Sequence, residues 1–110
     1  MDEITDVTIT GPDADWLAAF TRRLVEDRLA ACGNVIPAVR SIYLWDGKTQ
    51  ETPEALVILH TRKSLVGRII ERADAEHPYD TPQVLALPVL DAHPGYRNWL
   101  LEATTTGADV

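Results

Sequence analysis

The sequence predicts an α+β domain in which helices cover one face of a single antiparallel sheet. Three observations predict it. Segments with the two-residue period of strands and segments with helical spacing follow one another as strand, helix, strand, strand, helix, strand. A turn signal, Asp46-Gly47-Lys48, joins two long β-rich stretches. The chain has 110 residues, 45% of them apolar, which suits one domain with its own core.

Val7 and Ile9 alternate with Thr8 and Thr10, the pattern of a half-buried strand, and Gly11-Pro12-Asp13 breaks it. Asp13 or Asp15 then offers a side-chain oxygen to cap a first helix. Leu17, Phe20, Leu24, Leu29 and Cys32 recur at helical spacing, and Gly33-Asn34 reads as the stop. From Val35 to Trp45 β-branched and aromatic residues dominate, with Pro37 tolerable at an edge or a bulge. Beyond the turn, Glu54 to Thr61 carries the run Leu56-Val57-Ile58-Leu59, which suits a strand covered on both faces. The middle of the chain is thus one long hairpin.

Leu65, Val66, Ile69, Ile70 and Ala73 mark a second amphipathic helix that ends at His77-Pro78. Val84 to Val89 is the last strand, limited by Pro88. A third helix is expected from about Gly95 to Ala103, with Tyr96, Trp99 and Leu100 inward. The domain spans 1–110 with an ordered core of about 4–103, and the unpatterned 104–110 is expected to be a flexible tail. This order is the split βαβ arrangement, a ferredoxin-like βαββαβ sandwich with an added C-terminal helix. A fold so widely used decides no chemistry.

Composition excludes several partners. Ten Lys and Arg face seventeen Asp and Glu, a formal charge of -7, which repels phosphate backbones and argues against nucleic acid. Cys32 is the single cysteine, so no intrachain disulfide or CxxC clamp is possible, as suits a reducing compartment. MDEITDVTIT lacks the basic and apolar regions of a secretion signal, and no apolar run reaches the ~20 residues that span a bilayer. A cytoplasmic protein with no membrane contact is the expectation.

Several segments in order resemble the CutA family. They are Leu29-Ala30-Ala31-Cys32 with Asn34-Val35-Ile36-Pro37, then Ser41-Ile42-Tyr43-Leu44-Trp45-Asp46-Gly47-Lys48. Glu54, Thr61-Arg62, His77-Pro78-Tyr79-Asp80-Thr81-Pro82, Leu87-Pro88, Tyr96 and Trp99 continue the series. The likeness covers about Val7 to Glu102. It implies a ferredoxin-like subunit of a homotrimer whose central hairpin pairs with neighbours, closing exposed sheet edges. It also implies a link to copper and divalent-cation tolerance, with no organic cofactor.

In copper-binding members the attributed ligands are a Cys in the first strand and two His just before Pro-Tyr. Those positions hold Ile9, Glu76 and His77 here. One ligand type of three remains, and a carboxylate suits copper less well than imidazole or thiolate, so weakened metal binding is expected at His77 and Glu76. The family's Lys at the end of the third strand is His60, and two frequent Glu are Asp80 and Gln83.

His77 can ligate a metal through neutral imidazole, or can simply end a helix whose dipole favours partial positive charge. His60 and His93 show no partner at ligand spacing. Cys32, on the apolar side of the first helix as read here, behaves as a small buried hydrophobe. Tyr43, Trp45, Lys48, Glu54, Tyr79, Asp80, Tyr96 and Trp99 are residues a small-molecule cleft between subunits uses, and equally residues that anchor an interface. No nucleophile with an adjacent base, Gly-rich phosphate loop or HExxH helix occurs, so an enzyme is not expected.

Two functions follow. The first is trimeric cation tolerance, with copper or another divalent ion bound directly or acting by a regulatory route. The second, by analogy with PII signalling proteins, is a signalling or scaffold trimer holding a small ligand in intersubunit clefts. Other ferredoxin-like roles fit worse: RNA recognition wants a basic face, copper chaperones a CxxC loop, acylphosphatases an Arg-bearing phosphate loop.

Overall fold

The structure is a computed structural model and describes residues 2–105. Strand β1 (Ile4–Gly11) is followed by helix α1 (Ala14–Glu26), strands β2 (Cys32–Trp45) and β3 (Lys48–Arg62), helix α2 (Val66–Glu76), strand β4 (Val84–Pro88) and helix α3 (Pro94–Ala103). The sheet is antiparallel throughout, in the order β2-β3-β1-β4. The expected βαββαβ order with an added helix is therefore observed.

One face of the sheet forms the core. Val7 and Ile9 pair with Leu59 and Val57, and all four are fully buried under Leu17, Phe20, Leu24 and Ile69 of the two helices. Alternation along β3 explains its apolar run: Val57 and Leu59 face the helices, while Leu56 and Ile58 face the other way and are half-buried. That second face also carries Ile36, Leu85 and Leu87, which are 38%, 56% and 47% exposed.

The hairpin is the longest feature. Asp46 (φ 52) and Gly47 (φ 75) both take the left-handed conformation of a type I′ turn, as a two-residue connection requires. The pairing shifts between Ile36 and Val39, so Pro37 sits at a bulge where its missing N–H costs no ladder bond. Beyond it the ribbon from Val39 to Glu54 runs out from the body, and the molecule measures 48 × 27 × 22 Å.

Helix α1 corrects the sequence reading. Asp13 accepts from the Trp16 N–H at 2.8 Å and caps its start, but the helix stops at Glu26, not at Gly33-Asn34. Leu29 N–H donates to the Leu24 carbonyl (2.9 Å) and Arg28 N–H to the Val25 carbonyl (3.0 Å), with Arg28 at φ 60. This is a Schellman closure with an arginine at the left-handed position usually held by glycine. Cys32 therefore opens β2 and is half-buried; it is not on a helix.

At the other end Thr104 is fully buried and its hydroxyl donates to the Leu100 carbonyl (2.8 Å), so order extends past Ala103. The expected flexible tail otherwise falls on 106–110, outside the described residues. None of the described helices is long and apolar enough to cross a membrane.

Candidate functional site

The end of α2 brings His77 beneath the Gly11 end of β1. His77 is 8% exposed and its two nitrogens are both engaged. Nε2–H donates to the Thr10 carbonyl (2.8 Å), and Nδ1 accepts from the Tyr79 N–H (3.1 Å). Trp16 meets the ring edge-on at 4.8 Å and Tyr79 lies at 4.7 Å. The ring thus locks the chain as it leaves α2. A metal at either nitrogen would have to displace one of these bonds.

Glu76 points elsewhere. Its carboxylate accepts from Arg23 Nε (2.9 Å) and from Arg72, which also pairs with Asp27 at 2.7 Å. Burial would raise its pKa, but the hydrogen bonds from Arg72 and Arg23 outweigh it and hold the carboxyl below the ordinary value. Glu76 therefore ties α2 to α1, and Ile9 is buried core. The three positions aligned with copper ligands do not fit a metal in this arrangement. Among the described residues no group of three or more His, Cys, Asp or Glu is placed to hold one.

A cleft of about 590 Å³ lies between the hairpin and the segment after α2. Tyr43 and Trp45 from β2, Glu54 from β3, and Tyr79 and Asp80 beyond α2 line it. Strand register brings the first three together: Tyr43 and Trp45 alternate on one face, and Val39 pairs with Glu54 on that same face. Tyr79 Oη donates to Glu54 Oε2 at 2.9 Å, and Tyr43 Oη shares a 2.8 Å hydrogen bond with Thr52 Oγ1. Burial first, and the Glu54 carboxylate second, push the Tyr79 hydroxyl up to about 12.

The expected set thus divides. Lys48 pairs with Trp45 at the hairpin tip but does not line the cleft. Tyr96 and Trp99 lie on α3, with ring centres 5.4 Å apart, and Tyr96 stands edge-on to His60 at 6.3 Å. His60 lies between Asp6 (2.6 Å) and Asn34 (2.8 Å), while His93 accepts from the Gly95 N–H and caps α3. Thr10, Thr52, Thr81 and Gln83 also line the cleft and were not anticipated. Thr52 was reachable: counting back from the Asp46-Gly47 turn places it opposite Ser41, beside Tyr43.

Comparison with known proteins gives one family. The pattern of the CutA1 divalent ion tolerance protein matches residues 5–103. The chain is 38% identical over 104 residues to the divalent-cation tolerance protein CutA of Thermus thermophilus, covering 94% of this chain and 99% of that protein. It is 38% identical over 98 residues to the chloroplastic protein CutA of Arabidopsis thaliana, covering 89% of this chain. The match takes in 54% of that relative, so the chain spans about half the length of some curated relatives. The crystal structure of CutA1 from Oryza sativa superposes with a TM-score of 0.90 at 35% identity, covering 94% of each chain.

Proposed function

The chain belongs to the CutA1 divalent ion tolerance family, and from that premise we propose that it serves divalent-cation tolerance as a homotrimer, binding such ions directly only weakly. The state of His77 and Glu76 carries the second part: both imidazole nitrogens and the carboxylate already have protein partners. Copper would gain one imidazole at the cost of a buried hydrogen bond. The uncovered apolar sheet face and the projecting hairpin favour the trimer, since both are surfaces that a second copy would cover. Lone Cys32 favours a reducing, cytoplasmic setting; the chloroplastic location belongs to the Arabidopsis relative. The role is not enzymatic in this reading.

A calorimetric Cu(II) titration of the protein and of His77→Ala tests the weak-binding claim. The expected result is weak or substoichiometric heat in both. Tight binding near one ion per subunit, lost in the variant, would overturn it.

The 590 Å³ cleft favours a second reading, in which the trimer signals or scaffolds through a small ligand held in clefts between subunits, as PII proteins do. A thermal-shift screen of nucleotides and small acids and bases tests it, and a screen in which nothing stabilises the protein would remove it.

A further inference from the structure

We propose that in the homotrimer Lys48, at the hairpin tip of one copy, enters the cleft of the next and pairs with Glu54 there, so that three such contacts close the ring. This rests on the homotrimer reading and names a contact between its subunits.

One face of the ribbon carries the pieces in order. Lys48 is the cross-strand partner of Trp45, Tyr43 pairs with Gln50, and Glu54 pairs with Val39. Cation, aromatics and carboxylate therefore follow one another from tip to base on the same side of the hairpin. The ribbon from Val39 to Glu54 holds two cations, Arg40 and Lys48. Arg40 is taken up by Glu51 at 2.9 Å, whereas Lys48 is exposed and has no carboxylate partner among the described residues. Along a strand Lys48 and Glu54 stand roughly 20 Å apart, so a chain cannot bring its own Lys48 to its own Glu54.

The cleft needs a cation once it is covered. Within one chain three aromatic side chains, Tyr43, Trp45 and Tyr79, meet the carboxylates of Glu54 and Asp80, and no Lys, Arg or His lines the space. Tyr79 Oη donates to Glu54 Oε2, while Glu54 Oε1 and the Asp80 carboxylate have no hydrogen-bond partner among the described residues. A neighbouring copy that covered the hairpin without bringing a cation would strip water from both carboxylates and return nothing. An incoming ammonium returns a charge-assisted hydrogen bond to Glu54 and rests against the aromatic rings. Tyr79 and Asp80 also follow directly on the C-terminal end of α2, whose free carbonyls carry partial negative charge.

Tip and cleft are different patches of one chain, so the contact runs head to tail, and repeated about a threefold axis it closes. The apolar side chains beside the tip, Leu44 and Trp45, are 73% and 70% exposed in the single chain and come under cover with it.

Sedimentation equilibrium of the full chain over a dilution series tests the contact, with Glu54→Lys, Lys48→Glu and the double variant carrying both. The expected result is a wild-type trimer whose dissociation constant rises about tenfold or more in each single variant. The double variant recovers most of that loss, because the exchanged charges meet again across the interface. Lys48 is exposed and Glu54 half-buried on the hairpin, away from the core, and retained circular dichroism checks the fold. Single variants as tight as the wild type would overturn the contact and leave the homotrimer standing. Two weakened single variants with no recovery in the double would do the same. A wild-type monomer would overturn both.

Discussion

Tyr79 joins the two halves of the cleft, because its backbone N–H orders His77 and its hydroxyl orders Glu54. Its hydroxyl pKa is raised in the folded protein, from 10.0 to about 12, by burial and by Glu54. The sign follows. Below about pH 10 the group is neutral in both states and its contribution is complete; as pH rises toward 12 the unfolded chain loses its proton first, so folding weakens. Tyr79→Phe should flatten the loss of stability between about pH 10 and 12, read as urea midpoint against pH. An unchanged slope would contradict a hydroxyl pKa raised by burial and by Glu54. Tyr79 is 36% exposed, so solvent screens part of the effect. At this scale the sequence identified side-chain chemistry but not its grouping. Tyr43, Trp45, Glu54, Tyr79 and Asp80 were legible as aromatics and acids at family positions. Tyr96 and Trp99 entered the same set as residues of a cleft or interface between subunits, and within one chain they lie side by side on α3. Thr10, Thr81 and Gln83 were missed because a neutral polar side chain acquires meaning only from its neighbours.

The elements were legible wherever local rules agree with packing. Asp46-Gly47 fixed the hairpin, and His77-Pro78 fixed the end of α2. The end of α1 was misread for a definite reason. Its left-handed residue is Arg28, and Leu29 keeps helical spacing because a Schellman closure packs the residue after the turn back toward Leu24. Gly33 then reads as a stop when it has another duty. It sits in β2 where α1 crosses close overhead: a methyl there would run into Thr21 Cγ2 and lie 3.1 Å from Leu59 Cδ2. Gly33→Ala should therefore destabilise the fold by about 1–3 kcal/mol through overpacking. Denaturant unfolding measures this, and an unshifted midpoint would show that α1 can retreat from β2 without loss.

For the whole molecule, the order of elements predicted the sheet, but the chain itself covers only one face of it. The run Leu56-Val57-Ile58-Leu59 was read as covered on both faces, and within one subunit only Val57 and Leu59 are fully buried. Leu85, Leu87 and Ile36 lie on the remaining face at about half exposure, and the hairpin carries Ile42 and Leu44 at 64% and 73%. So much apolar surface on a chain of this size supports the proposed homotrimer, in which a second copy would cover it. Sedimentation equilibrium at micromolar concentration tests the homotrimer most directly. The expected mass is three times the 12.2 kDa of the chain, and a persistent monomer would contradict the account.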